Sequence, residues 1–381
     1  MRIIVAGDFV PRNRVAKYIE ENKGDVIFRN LVPEINDADY AIVNFECPVV
    51  NSPTEKSIDK FGPTLKCSSK AVEAIKGAGF KCLTLANNHF RDFGDIGVKD
   101  TLTACESNGL DYVGGGEDLQ HSSRTLYLTI AHLKVALINA CEHEFSIATV
   151  ERGGSNPLNP IQQFYAIKEA REKSDFIIVI IHGGHETYQL PSPRMQETYR
   201  FFVEAGADVV INHHQHCYSG YEVYKNKPIF YGLGNFCFEA LGKVKPTWFE
   251  GYMVELSINT QIAGNNSVPV DFRLIPYIQC KSNACIEKMN EMELKDFYGK
   301  IQLLNEIISD STKLKEEHDS WMDKSTNYVL STFSPWQNRY LKGLCARGYL
   351  PKFLGKMKRL MIINQIQCES HFDRALRALD R

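Results

Sequence analysis

Short β-branched runs alternate along this chain with longer amphipathic stretches, and that alternation constrains the fold more than any other feature. The spacing predicts strands at 2–6, 40–44, 81–86, 133–140, 176–181, 208–211 and 228–232. Helical patterns fall between several of them, at 68–78, 96–108, 161–173 and 193–205. Strands alternating with helices of this length imply an α/β fold whose core strands are covered by helix. After about residue 251 the pattern changes. "GYMVELSI" and "VDFRLIPYIQ" read as two further strands joined around the polar turn "AGNNSVP". Beyond residue 280 the chain is helical in character, rich first in Lys and Glu and then in Lys and Arg. The expected organisation is therefore an α/β domain over 1–280 and a helical, basic extension over 281–381.

The predicted strands end in chemistry-bearing residues. "IIVAGD" ends in Asp8, "AIVNFE" carries Asn44 and Glu46, and "LTLANNH" ends in Asn87, Asn88 and His89. "IIVIIHGGHE" delivers His182, His185 and Glu186, and "DVVINHHQH" delivers His213, His214 and His216. An Asp after one strand is usually a turn former or a helix cap, and one buried His is usually hydrogen-bonded core. Five such endings in one open sheet gather where loops leave the strands, which is where α/β proteins build sites. The chain has only 11 histidines, and three of them stand within four positions here.

Imidazoles, carboxylates and an amide oxygen are the donor set of borderline divalent ions such as zinc, manganese or iron. All-oxygen magnesium or calcium sites have no need of histidine. Two histidines spaced His-x-His can reach two neighbouring ions while one carboxylate bridges them, so one or two ions are expected. Such a pair clamps a phosphoryl oxygen and activates water at neutral pH.

The same residues carry a resemblance. The order Gly-Asp, Asn-x-Glu, Asn-Asn-His, His-x-Gly-x-Glu and His-His-x-His followed by Gly-Asn-Phe is similar to that of the CapA family. These are the poly-gamma-glutamate and capsule synthesis proteins, related to the calcineurin-like metallophosphoesterases. The likeness runs from about residue 3 to 238, through "LANNHFRDFGDIGVKDTL" and "GADVVINHHQHCYSGYEVYKNKPIFYGLGNF". It implies a metallophosphoesterase-like four-layer α/β/β/α sandwich with a helical C-terminal extension. It makes Asp8 and His216 ligands of a first metal, Glu46 the bridging carboxylate, and Asn88, His182 and His214 ligands of a second. His89 becomes the candidate general acid. Asn44, Asn87, Glu186 and His213 become neighbours that orient ligands or contact substrate.

Three positions depart from the metallophosphoesterase pattern. Val10 stands where an Asp-x-His motif would place a further ligand, which leaves three for the first metal. The bridging position is Glu rather than Asp, as the capsule family has it. Gly183 replaces an aromatic residue after His182, a change expected to open the pocket or to leave room for a different substrate group.

The implied activity is metal-dependent hydrolysis of a phosphorylated or polymeric small-molecule substrate, most simply a phosphoester, in capsule or surface-polymer synthesis. Two alternatives stay open: cleavage of a gamma-glutamyl or other amide bond, and a non-catalytic polymer-assembly factor with a structural metal site. No Gly-x-Ser-x-Gly is present, so a serine nucleophile elbow is excluded. "GGG" at 114–116 lacks the Lys-Ser/Thr of a phosphate loop and reads as a turn. Cys141, beside Glu142 and His143, is a weak candidate thiol nucleophile.

Composition narrows the setting. Hydrophobic residues at 44% and charged residues at 24% are those of a soluble globular protein. Eleven cysteines without a Cys-x-x-Cys point to a reducing compartment. The apolar start before Gly7-Asp8 is too short for a signal-peptide core, and no run approaches the ~18 apolar residues of a membrane span. A cytoplasmic protein is expected. The formal net charge of -2 conceals an uneven distribution, with ten Lys/Arg against three acids from Arg339 to Arg381, about +7. That tail reads either as a solvated helical appendage or as a peripheral surface for the inner membrane face or a membrane-associated assembly partner. An acidic core without a recognition motif argues against nucleic acid.

Overall fold

The computed structural model describes residues 1–259, 269–336, 338–351 and 354–367, together with 371, 375 and 379. Two large sheets face each other. The first comprises Arg2–Val10 (β1), Tyr40–Phe45 (β2), Cys82–Thr84 (β3), Asp111–Val113 (β4), Asn235–Phe238 (β13), Glu250–Ile258 (β14), Val270–Gln279 (β15) and Ile286–Lys288 (β16). Its order is β16-β15-β14-β1-β2-β3-β4, with β13 pairing alongside β1. The second comprises Leu126–Ile130 (β6), Leu133–Cys141 (β7), Phe176–His182 (β9), Val209–His213 (β10), Tyr221–Tyr224 (β11) and Lys227–Phe230 (β12), ordered β11-β12-β10-β9-β7-β6. A small ladder joins Gly115–Gly116 (β5) to Gly154–Ser155 (β8).

The period of two in the strand sequences sorts side chains between two layers. Ile3 and Val5 of β1 meet Ile178, Ile180, Val209 and Ile211 in the core between the sheets. Ile4 and Ala6 point the other way, into a second core. There they meet Val15 and Ile19 of Asn13–Glu20 (α1), Phe28 of Gly24–Phe28 (α2), Ile35 of Val32–Asn36 (α3), Ile75 of Lys70–Gly77 (α4) and Leu102 of Gly94–Asn108 (α5). The far face of the second sheet, with Ile177, Val179 and Ile181 fully buried, is covered by Pro160–Lys173 (α7) and Pro193–Ala205 (α8). The short Leu119–Ser122 (α6) packs on the β5–β8 ladder. The result is the expected four-layer α/β/β/α sandwich. Because both faces of the central strands are covered, those strands are continuous apolar runs.

Strand β13 lies outside the strands expected from the sequence. It runs parallel to β1 and pairs Asp8 with Asn235. Gly7 permits this approach, since a Cβ there would lie 1.9 Å from the Gly234 carbonyl oxygen. A register shift in β1 between Ala6 and Asp8 accompanies it. The expected turn at 263–269 lies, apart from its last residue, outside the described residues; the strands flanking it, β14 and β15, pair antiparallel from Glu250↔Ile278 to Ile258↔Val270.

Glu291–Ser309 (α9) begins with a capping box between Asn290 and Glu293 and puts Phe297 and Ile301 into the inter-sheet core. The compact unit accordingly extends over Met1–Leu314, past the boundary expected at 280, because that core is incomplete without α9. The second unit, Lys315–Arg381, has helices as its described elements. It holds most of Ser311–Thr332 (α10), then Arg339–Ala346 (α11) and Lys356–Gln367 (α12).

Candidate metal centre

The strand ends converge. Parallel registers align Asp8 with Asn44 across β1 and β2, and His182 with His213 across β9 and β10. Two groups of side chains form there, Asp8–Glu46–His216 and Glu46–His182–His214, the candidate donor atoms of each lying within 4.8 Å of one another. Glu46 belongs to both. Its Oε1 lies 3.6 Å from His182 Nε2 and 3.8 Å from His216 Nε2. Asn88 completes the second group with Oδ1 3.1 Å from His182 Nε2, and His214 Nδ1 is 3.1 Å from the same nitrogen.

The buried carboxylate of Glu46 tests whether these residues suit a cation. It is fully buried and neither oxygen has a hydrogen-bond partner. Burial, and then the Asp8 carboxylate, push its pKa well above the usual range. A carboxylate taken from water without a donor is costly unless a positive charge sits beside it. Burial works against a charged His216, but Glu46 and Asp8 overcome it and raise the imidazole to about 9. Burial and then His216 lower His214 to about 3, and burial and then His214 hold His182 well below its ordinary value, so both rings are neutral. Imidazole lone pairs, an amide oxygen and the Asp8 carboxylate around the unpartnered Glu46 carboxylate fit a divalent ion.

The supporting contacts are specific. Asn44 Nδ2 donates to Asp8 Oδ1 at 2.7 Å and lies 3.3 Å from His182 Nδ1, while its Oδ1 accepts from Thr84 Oγ1 at 3.1 Å. Asn44 thus links the ends of the first and second sheets at Asp8 and His182. His216 Nδ1 lies 3.0 Å from Asn235 Oδ1. Asn235 Nδ2 donates to the carbonyls of His216 and Trp248, which fixes the amide with its oxygen toward the imidazole. His216 therefore donates through Nδ1 and turns Nε2 toward Glu46. The loop that carries these ligands is strained. His214 has φ 92 and His216 φ 54, conformations costing roughly 1–3 kcal/mol each for residues with a side chain. Gln215 between them holds the turn, its Nε2 donating to the Tyr188 carbonyl at 3.1 Å.

His89 stands at the edge of the centre. Its Nδ1 lies 2.7 Å from Asp92 Oδ2, and its backbone N–H donates to Asn87 Oδ1 at 3.1 Å. Burial lowers its pKa, with Asp92 opposing. Asp92 Oδ2 also accepts the Leu65 N–H at 2.7 Å.

The other expected neighbours differ in their surroundings. Asn87 directs its amide to the Phe45 and Leu85 carbonyls, so it shapes the turn that presents Asn88 and His89 rather than touching a ligand. His213 lies beside Asp8. It is 1% exposed, with Nδ1 3.6 Å from Asp8 Oδ1 and no hydrogen bond at either ring nitrogen. Glu186 is exposed, and its charge acts on Glu46 and His216. Val10 is buried in the core beneath the helices, so it adds nothing to the first group. Gly183 does not open the pocket, because a Cβ there would meet Glu142 Cγ at 2.7 Å: the Glu142 side chain already fills that space. Cys141 is 1% exposed, and burial raises its pKa far from the thiolate range.

Lys60, Asp92 and Asn235 are absent from the site expected on sequence grounds. Asp92 and Asn235 lie inside the quoted Asn-Asn-His-x-x-Asp and Gly-Asn-Phe runs, so a signal existed. Lys60 sits in an irregular, largely exposed stretch that carries none.

Residues 2–240 match the family model described as bacterial capsule synthesis protein PGA_cap. The chain belongs to this family. The capsule biosynthesis protein CapA of Bacillus anthracis is 34% identical over 247 residues, 63% of this chain and 60% of that protein. The PGA biosynthesis protein CapA of Bacillus subtilis (strain 168) is 32% identical over 236 residues, 61% of this chain and 62% of that protein. The chain thus spans only about three fifths of the length of either relative. Among solved structures, a hypothetical protein from Thermus thermophilus aligns with TM-score 0.44 at 14% identity, over 72% of this chain and 99% of that one.

Proposed function

We propose that this chain is a divalent-metal-dependent hydrolase that cleaves a phosphoester in the synthesis of a capsule or another surface polymer. One observation carries the reading: the buried, unpartnered carboxylate of Glu46 is shared by two adjacent donor groups. Asp8, Glu46 and His216 would hold one ion, and Glu46, Asn88, His182 and His214 another. The nitrogen and oxygen donors suit zinc, manganese or iron. An ion bound there supplies Lewis acidity that polarises a phosphoryl or carbonyl oxygen.

The chain's own residues supply position and a proton. Asp92 engages Nδ1 of His89, which leaves Nε2 to serve the leaving-group oxygen. Burial favours the neutral ring at rest, whereas Asp92 and an incoming phosphoryl charge favour the protonated donor. The setting follows from the family and from the relatives' names, which speak of capsule and PGA biosynthesis. Those names also support the second reading, hydrolysis of a gamma-glutamyl amide.

The ten described cysteines are free thiols, which supports a reducing, cytoplasmic location. No helix among the described residues is long and apolar enough to cross a membrane. From Arg339 to Gln367 the sequence has seven Lys/Arg and no acid, and Tyr340, Tyr349, Met357, Met361 and Ile366 are exposed there. Cations interleaved with exposed apolar side chains suit an anionic membrane face or a membrane-associated assembly partner.

The test loads the purified chain with Mn²⁺ or Zn²⁺ and compares bis-p-nitrophenyl phosphate with gamma-glutamyl-p-nitroanilide. Phosphodiester turnover that Glu46→Ala abolishes is the expected result. Turnover of the anilide alone reassigns the bond to the amide class. Tight metal binding with neither activity on these or on polymer substrates leaves the assembly factor.

A further inference from the structure

We propose that Glu144 is a positioning residue for the Asn88–His182–His214 group, orienting two of its members at once; the inference rests on the metal reading above. Each of those two members faces the group with one atom and Glu144 with another. Asn88 turns Oδ1 toward His182 and donates Nδ2 to Glu144, 3.4 Å from Oε1 and 3.5 Å from Oε2. His214 turns Nδ1 toward His182, and its Nε2 lies 3.9 Å from Glu144 Oε1.

The chemistry of both contacts runs in one direction. An amide that donates to a carboxylate through its nitrogen must aim its oxygen the opposite way, which here is into the donor group. An imidazole that keeps its proton on the nitrogen nearest a carboxylate leaves the lone pair on the other nitrogen. A carboxylate behind a ligating histidine also raises the basicity of the ring. Asn235 serves His216 in this way, and Asn44 fixes Asp8 by donating to its carboxylate. Glu144 does the same for Asn88 and His214.

Its loop is tied to the same place. It follows the end of β7 at Cys141, and two residues beyond Glu144 the Ser146 hydroxyl donates to the Asn88 carbonyl at 2.7 Å. The Glu144 side chain is 39% exposed, so replacing it empties no core. Glu142, in the same loop, provides a control. It accepts from the Gly184 N–H and from Arg194, both outside the donor groups.

The experiment measures Mn²⁺ binding to the full chain by calorimetry and elemental analysis, without substrate. Wild type is compared with Glu144→Ala, Glu144→Gln, Glu142→Ala and His214→Ala. The ion that His214→Ala loses should be held roughly 10–100-fold more weakly by Glu144→Ala. Glu144→Gln, which keeps an acceptor without the charge, should fall between, and Glu142→Ala should match wild type. Weakening as large in Glu142→Ala as in Glu144→Ala would mean general loss of negative charge and overturn the assignment. Wild-type affinity in Glu144→Ala would also overturn it while leaving the metal reading intact. A wild-type chain that takes up no Mn²⁺ overturns both.

Discussion

Lys60 and Asp92 form an ion pair of 2.5 Å sealed from water, their side chains 2% and 0% exposed. The pair anchors an otherwise exposed stretch against the turn that carries Asn88 and His89. Removing one partner of such a pair strands the other charge in a dry site, at about 3–5 kcal/mol. Lys60→Ala should therefore lower stability by that order in denaturant unfolding. A loss of under about 1 kcal/mol, the range of surface pairs, would show that water reaches Asp92.

His89 makes no contribution to either donor group. His89→Ala should keep its bound metal while turnover of the phosphodiester falls roughly 10²–10⁴-fold, the usual scale for a lost proton donor. Elemental analysis and the assay on the same preparation decide it. Unchanged turnover would remove His89 from the reaction.

Shared and unshared members of the two groups should separate in metal content. His214→Ala should cost the ion of the Asn88 group, and His216→Ala the ion of the Asp8 group. Glu46→Ala should weaken both, because Glu46 belongs to both. Equal losses in all three variants would point to one ion rather than two.

α9 should prove part of the folding unit. Phe297 is 1% exposed and its ring lies 4.9 Å from that of Tyr218 and 5.8 Å from that of Tyr252. Phe297→Ala should destabilise by about 3–5 kcal/mol, the cost of an aromatic cavity. A chain ending at residue 314 should unfold cooperatively, whereas one ending at 280 should not. Cooperative unfolding of the shorter chain would return the boundary to 280.

The tail gives a prediction of its own. Full-length protein should sediment with phosphatidylglycerol vesicles at low salt and release as salt rises, since surface attraction is screened within ~10 Å at 0.1 M. Replacing Lys356, Lys358 and Arg359 by Glu should abolish sedimentation. Binding that is indifferent to lipid charge would exclude an electrostatic membrane contact and favour a protein partner.

Much of this was legible without a structure. The alternation of β-branched and amphipathic segments determined the α/β class, because the period of a strand and that of a helix are written directly in side-chain spacing. The types of residue at the strand ends, Asp8, Glu46, Asn88, His182, His214 and His216, determined the donor chemistry. Parallel strands then brought those ends to one edge. Only the tertiary structure decided direction and partnership. His213 and His214 are adjacent in sequence, yet one ring is buried beneath Asp8 and the other joins the donor group, because the backbone turns to positive φ at His214. Asn87 and Asn88 divide in the same way between backbone and site. Lys60, Asn235 and Glu144 reach their partners across 32, 19 and 56 residues of chain. Local pattern carries no trace of such contacts, since they depend on which surfaces the packed sheets bring together.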